Sequence, residues 1–143
     1  MGGGAAPGMV IDGGGLARER HPNLQFLVCG DEAEIAPLLA RHRARRDVVE
    51  VRHTDIQVKS TDRPSLALRQ GRQSSMRLAI NAVADGEAGG VVSAGNTGAL
   101  MAMSKFALKT MSGIDRPAIC SCLPTLRGES VMLDLGANLE CDQ

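Results

Sequence analysis

The sequence predicts an α/β fold in which helices cover both faces of a largely parallel β-sheet, a three-layer α/β/α arrangement. Short apolar runs alternate along the chain with longer stretches whose apolar residues recur at helical spacing. Apolar runs that do not alternate with polar residues are typical of strands buried on both faces, as in parallel sheets. The 143 residues suit one domain of ordinary size, so we expect a single domain over residues 1–143.

The first half of the chain predicts an opening helix and then a strand–helix–strand unit. Pro7 suits the start of the opening helix because its missing N–H would be unpaired there, although the glycines at 13–15 weaken the middle. Asp31 is placed to cap the second helix. The expected elements are a helix at 7–21, a strand at 24–29, a helix at 32–45 and a strand at 48–52.

The second half of the chain predicts two helical stretches and three further strands. The first helical stretch follows a polar loop at 54–64, and we expect it to break near Gly71. A turn at 125–129 would join the last two strands as a hairpin or place them side by side in a mixed sheet. The expected elements are helical residues at 65–85, a strand at 90–93, a helix at 97–111 and strands at 118–123 and 131–135.

The composition excludes several functional classes. Phe26 and Phe106 are the only aromatic residues, so the core must be aliphatic and Met-based, and base stacking on single-stranded nucleic acid is excluded. The net charge of zero argues against nucleic-acid binding in general. No apolar run reaches membrane-spanning length, and no secretory signal is visible. The four cysteines lack a Cys-x-x-Cys spacing and are expected to be small buried side chains in a reducing cytosol, with no metal bound.

A Gly-bracketed polar turn, Ser93–Gly98, links an expected strand to an expected helix. Ligands in α/β folds bind beyond the carboxyl ends of strands. Backbone N–H groups, the Asn96 amide and the Thr97 hydroxyl could therefore bind phosphate or another oxyanion there. Gly95 and Gly98 would let the backbone approach such a ligand closely. An ordinary helix cap explains the same residues equally well, because Asn and Thr are preferred at helix starts.

A second polar turn, Asp134–Asn138, follows the last apolar run. Asp134 interrupts that run, and an unpaired buried carboxylate would be costly. It should therefore meet a partner, such as N–H groups of the neighbouring turn. A structural, hydrogen-bonded Asp134 and a catalytic one fit the sequence equally well.

Arg77 is the cation that we most expect to face this site, because it lies between Met76 and Leu78. The planar guanidinium group suits phosphate, whereas most of the other nearby arginines fit a solvated helix face. The sequence contains no Gly-x-Ser-x-Gly elbow, Walker loop or Gly-x-Gly-x-x-Gly fingerprint. This indicates a reaction between two bound substrates rather than one through a covalent intermediate.

The two polar turns belong to a longer series of motifs. The series comprises Met1–Gly3, Val10–Gly13, Arg63–Ser65 with Arg69, Ser74–Arg77, Ser93–Met101, Arg116–Ala118, Leu123–Thr125 and Leu133–Asn138. Together these segments closely resemble the PlsX family of bacterial phosphate acyltransferases. The match follows the family's order over essentially the whole chain.

The resemblance implies transfer of a fatty acyl group from acyl carrier protein to inorganic phosphate, whose product feeds the acylation of glycerol 3-phosphate in phospholipid synthesis. It implies a fold similar to the isocitrate and isopropylmalate dehydrogenases. It also implies a cytoplasmic homodimer at the inner face of the membrane, a glycerol-3-phosphate acyltransferase as partner, and no metal or organic cofactor. We expect Asn96, Asp134 and Asn138 to be catalytic. The expected substrate-binding residues are Gly2, Gly3, Arg77, Ser93, Gly95, Thr97, Gly98 and Gly136.

The chain also departs from the family pattern. Gly4 stands where the family has Asp directly after Met-Gly-Gly, and the preceding strand and roughly the second half of the family's length are missing. We therefore expect an N-terminal portion of the family's domain. The alternatives are an inactive fragment that binds phosphate or carrier protein without catalysis, and a relative of the isopropylmalate-type dehydrogenases. The second alternative would require an acidic metal-binding cluster, which this sequence lacks.

Overall fold

The computed structural model describes residues 7–41, 47–115, 117–133 and 135. Contacts within the chain divide it into two compact units, Met1–Leu108 and Lys109–Gln143. The described elements of the first unit are α1 (Gly8–Arg20), β1 (Phe26–Gly30), α2 (Glu32–Arg41), β2 (Val49–His53), α3 (Pro64–Gln70), α4 (Ser75–Ala84) and α5 (Thr97–Leu108). Those of the second unit are β3 (Cys120–Thr125) and β4 (Gly128–Leu133). None of these helices is long and apolar enough to cross a bilayer.

The sheet of the first unit consists of the parallel strands β1 and β2 in the described residues. Val28 lies opposite Val51 in this pair. Helix α2 connects the two strands, and the Asp31 side chain caps it by accepting a hydrogen bond from the Ala33 N–H at 2.9 Å. A parallel pair joined by a helix is a βαβ unit, so the predicted α/β class and the predicted Asp31 cap are confirmed.

Two hydrophobic clusters stabilise the first unit. In one, α1 and α2 bury Ile11, Ile35 and Leu39 next to the β1–β2 sheet. In the other, α3, α4 and α5 meet around Ile80 and Met103, whose exposed fractions are 0% and 1%. Both clusters are aliphatic or Met-based, as the composition predicts, and burial of each large side chain contributes about 1.5–3 kcal/mol.

The helical stretch after the polar loop is two helices, and the break falls at Gly71 as predicted. Helix α3 ends just before this residue, and α4 begins at Ser75. A Cβ on residue 71 would lie 2.5 Å from the carbonyl oxygen of Ala67 and 2.7 Å from Cε of Met103. A Cβ at this position would therefore clash with the backbone of the last turn of α3, and Met103 of α5 packs against the same position.

The third strand, expected at 90–93, is not observed, and this prediction is wrong. Within the described part of the chain these residues join no strand ladder, and Val92 is 98% exposed. A strand forms only where a neighbouring strand pairs with its backbone groups. The apolar run at 90–93 supplies suitable side chains, and one edge of β1 is unpaired in the described sheet, but residues 90–93 do not pair with it.

The second unit is an antiparallel hairpin, which was one of the two predicted arrangements of its strands. Cys120 lies opposite Leu133, and Thr125 lies opposite Gly128. The predicted continuation of a parallel sheet therefore does not extend to these strands. Since antiparallel neighbours can be joined by a two-residue loop, the short connection between β3 and β4 is sufficient to form the pair.

The hairpin strands are exposed, which contradicts their predicted burial. Val131 and Leu133 are 64% and 66% exposed, and Cys120 and Cys122 are exposed as well. No helix occurs among the described residues of this unit to cover either face. The prediction of buried cysteines holds for Cys29, which is 6% exposed.

Candidate functional site

The polar turn before α5 is shaped by its own side chains. The Ser93 hydroxyl oxygen accepts a hydrogen bond from the Gly95 N–H at 3.2 Å, which bends the chain before the helix. The side-chain oxygen of Asn96 accepts one from the Ala99 N–H at 3.0 Å. Asn96 is therefore the N-cap of α5, which is the structural alternative that the sequence left open.

The other half of the Asn96 amide faces a different part of the chain. Nδ2 of Asn96 lies 3.2 Å from the carbonyl oxygens of both Lys59 and Ser60, and 2.8 Å from that of Asp62. A side-chain NH₂ group has two N–H bonds, so three carbonyl oxygens share two donors. The structure uses the whole Asn96 side chain to join the 59–62 loop to the start of α5.

Gly98 allows the first turn of α5 to approach the start of α3. A Cβ on residue 98 would lie 3.1 Å from Cγ of Pro64 and 3.6 Å from the side-chain oxygen of Asn96. The observed close neighbour of this glycine is Pro64, and its predicted approach to a ligand stays a prediction. The backbone φ of Gly98 is not in the left-handed region, so its conformation alone does not require glycine.

The first turn of α5 retains backbone donors. The N–H of Ala99 donates to the Asn96 side chain, and that of Leu100 donates to the Asn96 carbonyl. Within the described residues, this leaves the N–H groups of Thr97 and Gly98 available at the exposed end of a 12-residue helix. An anion suits such a position because the helix dipole and the N–H groups act together.

The loop that Asn96 holds carries one cation, Lys59, and one carboxylate, Asp62, and Arg63 follows it as the N-cap residue of α3. The carboxylate of Asp62 accepts a hydrogen bond from the Lys59 N–H at 2.8 Å, and the Asp62 N–H donates to the Lys59 carbonyl at 3.1 Å. The side chains of Lys59 and Arg63 are exposed. Sequence reasoning did not select Lys59, because its link to Asn96 spans 37 residues and has no local pattern.

Arg77 lies in the first turn of α4, where its side chain supports the helix. Its Nε donates to the side-chain oxygen of Asn81 at 2.9 Å, and its backbone N–H donates to the Ser74 hydroxyl at 3.3 Å. No hydrogen bond within the described residues joins Arg77 to the Ser93–Gly98 turn. The expected contact between Arg77 and an anion at that turn stays a prediction.

The remaining predicted site residues cannot be placed. These are Gly2, Gly3, Asp134, Gly136 and Asn138, all of which lie outside the described residues. The second polar turn and the Gly-rich opening of the chain therefore stay predictions. The described part of the candidate site consists of Ser93, Gly95, Asn96, Thr97 and Gly98.

A cavity of about 920 Å³ lies beside this turn in the first unit. It is lined by α1, β1, β2, α4 and residues 87–94, so that Ser93 and Ala94 form part of its wall. The cavity lies along β1, and within the described sheet only one edge of this strand is paired. An apolar ligand there would leave polar backbone groups of β1 without partners, which is costly. The cavity alone therefore does not define a ligand site.

Two of the titratable groups that line the cavity, Cys29 and Arg52, have shifted pKa values. Burial raises the pKa of the Cys29 thiol above its ordinary value of 9.0, and the nearby Arg52 charge opposes this only in part. Arg52 donates to a Glu87 carboxylate oxygen at 2.7 Å, and this bond raises the pKa of the Arg52 guanidinium. Neither group is in a state that favours nucleophilic chemistry, because a buried neutral thiol is a weak nucleophile.

The described geometry defines an α/β protein with a polar turn at the N-terminus of a helix, an arrangement that suits small anions. Comparison with known protein families gives a match over residues 1–143 to the family described as fatty acid synthesis protein. The chain belongs to this family.

Curated relatives agree with this assignment. The phosphate acyltransferase of Rhodospirillum centenum is 66% identical over 142 residues, which are 99% of this chain and 40% of the relative. The phosphate acyltransferase of Rhodospirillum rubrum is 61% identical and that of Paramagnetospirillum magneticum 56%, with 99% of this chain and 41% and 40% of the relatives covered. The chain spans about 40% of the length of the curated relatives it matches.

Proposed function

We propose that this chain is part of an enzyme that transfers a fatty acyl group from acyl carrier protein to inorganic phosphate, giving acyl phosphate for phospholipid synthesis. Membership of the fatty acid synthesis protein family and the names of the relatives support acyl transfer. The observation that carries the phosphate part is the exposed start of α5. There the N–H groups of Thr97 and Gly98 stand beside a polar turn.

In the proposed reaction a phosphate oxygen attacks the thioester carbonyl carbon. A carbon–oxygen bond forms, the carbon–sulfur bond breaks, and the proton of hydrogen phosphate passes to the departing thiolate. The N–H groups of Thr97 and Gly98 hold the phosphate so that one oxygen faces the carbonyl. Positioning of this kind makes an intermolecular step local and supplies a large part of the rate enhancement.

Other predicted residues enter as parts of the same proposal. Arg77 would neutralise phosphate charge, and Ser93 and Gly95 shape the turn that presents the donors. Asn138 would donate a hydrogen bond to the developing oxyanion, and Asp134 would act as a further catalytic group. The residues Gly2, Gly3 and Gly136 would contribute further backbone donors.

The full-length context is also a proposal. We propose a three-layer fold like that of the isocitrate and isopropylmalate dehydrogenases, in which residues 1–143 form part of one domain. The protein would be a cytoplasmic homodimer that associates peripherally with the membrane and works with a glycerol-3-phosphate acyltransferase. The relatives' names favour an acyltransferase over a dehydrogenase relative.

The test combines binding and turnover. The purified chain is titrated with inorganic phosphate while the amide resonances of Thr97 and Gly98 are followed by NMR. It is then mixed with an acyl carrier protein thioester and phosphate, with the Rhodospirillum centenum enzyme as positive control. We expect saturable amide shifts and phosphate-dependent formation of acyl phosphate. Binding without turnover would support the inactive-fragment alternative, and absence of both would contradict the proposal.

A further inference from the structure

We infer that Asn96 is a positioning residue, whose side chain fixes the 59–62 loop against the start of α5 and does not touch substrate itself. This inference rests on the proposed function, since it assigns a role within the same site. It differs from the catalytic role expected from the sequence, because Asn96 acts through the loop that it holds.

The hydrogen bonds of Asn96 are the direct evidence. Its Nδ2 group faces the carbonyl oxygens of Lys59, Ser60 and Asp62 at 2.8–3.2 Å, and its Oδ1 accepts from the Ala99 N–H at 3.0 Å. To bind substrate, the amide would first have to break some of these bonds. If Asn96 positions the loop instead of binding substrate, its amide keeps all of these hydrogen bonds.

The loop is anchored at both ends, so that Asn96 controls its middle. Val58 lies in the cluster of α3, α4 and α5 with 5% of its surface exposed, and Ala67 of α3 lies in the same cluster with 4% exposed. Between them, the described hydrogen bonds from outside the loop to residues 59–62 all come from Asn96. Loss of these bonds should free this segment while the core stays packed.

The fixed loop carries a cation on the segment that is attached to the start of α5. Lys59 is exposed on this segment, and the exposed Arg63 follows it as the N-cap residue of α3. Positive side chains held near helix N–H groups bind an anion better than mobile ones, because less conformational freedom is lost on binding. Asn96 therefore raises phosphate affinity by holding the Lys59 charge in place.

An amide is needed at position 96 for chemical reasons. Aspartate could replace the capping oxygen, but it has no N–H to donate to the loop carbonyls. The variant Asn96→Asp should thus keep the hydrogen bond that caps α5 and remove those that hold the loop. Asp31→Ala is the matched control, because it removes a cap bond of comparable length from α2 without touching the loop.

The experiment measures the loop and the site separately in the whole chain. Amide hydrogen exchange is recorded for residues 59–62 and for α5, and inorganic phosphate is titrated against the Thr97 and Gly98 amide resonances. In Asn96→Asp we expect exchange of the loop amides to rise by about tenfold or more while α5 stays protected. The phosphate Kd is measured in Asn96→Ser, which keeps a capping oxygen and adds no negative charge beside the anion, and it should rise by about five- to tenfold. Asp31→Ala should change neither quantity.

Each other outcome overturns a definite statement. Unchanged loop exchange in Asn96→Asp would show that Asn96 does not hold the loop. Faster loop exchange with an unchanged phosphate Kd would reduce Asn96 to a structural residue. If the wild-type chain does not bind phosphate, the proposed anion site itself fails and the positioning role falls with it. In an active chain, a loss in kcat at unchanged KM for phosphate would restore the catalytic role.

Discussion

The cluster formed by α3, α4 and α5 and the hairpin formed by β3 and β4 use similar side chains in opposite ways. In the helical cluster, Ile80 and Met103 are 0% and 1% exposed. In the hairpin, Val131 is 64% and Met132 43% exposed. The helices gain their stability from removing apolar surface from water, whereas the hairpin relies on its backbone ladder. An isolated hairpin is marginally stable in water at best.

The comparison shows that an apolar run identifies side chains that a segment could bury. Whether they are buried depends on what packs against the segment. Both regions match the apolar patterns from which we predicted buried elements. Of these two regions, burial was reached in the one where three helices meet on a shared cluster. Four measurements can break or sharpen this contrast.

The largest expected effect is the loss of buried volume at Ile80. We expect Ile80→Ala to lower the free energy of unfolding by about 2–5 kcal/mol, because it leaves a cavity in the cluster of the three helices. Val131→Ala removes apolar atoms that already face solvent and should change it by less than about 0.5 kcal/mol. Urea unfolding followed by circular dichroism measures both values, and equal losses would show that the hairpin is buried after all.

A smaller effect is expected from a matched pair of glycines. Gly71→Ala places a methyl group 2.5 Å from the Ala67 carbonyl oxygen and should cost about 1–3 kcal/mol through overpacking. Gly13 lies in α1, and a Cβ on this residue would have nothing within 4 Å. Gly13→Ala should therefore raise the free energy of unfolding by about 0.5–1 kcal/mol, because alanine has the higher helix propensity. Thermal unfolding compares the two. A neutral Gly71→Ala would contradict the close approach of residue 71 to the Ala67 carbonyl oxygen.

The smallest effect concerns the thiols of the two regions. Cys29 is buried in the first unit, while Cys120 and Cys122 are exposed on β3. At pH 8 we expect a thiol reagent to modify Cys29 about tenfold more slowly or slower still, with mass spectrometry assigning each site. Similar rates for all three thiols would argue against the packing of β1.

The same cysteine gives a pH dependence with a definite sign. Burial raises the pKa of Cys29 above its ordinary value of 9.0, so the folded state holds the thiol proton to higher pH than the unfolded state. The stabilisation is fully present below about pH 9.0 and is lost as pH rises through the folded pKa. In Cys29→Ala this alkaline component of unfolding should disappear, as unfolding curves recorded at increasing pH would reveal.

Local patterns predicted the features that depend on a few neighbouring residues. Asp31 caps α2 and Gly71 separates α3 from α4, because caps and breaks involve contacts within a few positions. The last two strands form a hairpin, which was one of the two arrangements that the sequence left open. The polar turn at Ser93–Gly98 was also found in this way. Its residues are those that bend a chain into a helix.

Features that join distant segments could not be read from such patterns. The strand expected at 90–93 failed because a strand depends on a partner elsewhere in the chain. The contacts of Asn96 with Lys59, Ser60 and Asp62 span 34–37 residues and follow no periodicity. The Pro64 neighbour of Gly98 was missed for the same reason.

The amino-acid sequence by itself determined the class of fold, the positions of most helices, the aliphatic nature of the core and the polar turn before α5. These follow from side-chain chemistry and from backbone preferences that act over one or two turns of chain. Only the tertiary structure decided which apolar runs are covered and which partners the Asn96 amide has, because burial and hydrogen bonding between distant segments depend on how the whole chain packs. Asn96 shows both kinds of contact, since its capping bond to Ala99 spans three residues and its bonds to the 59–62 loop span 34–37.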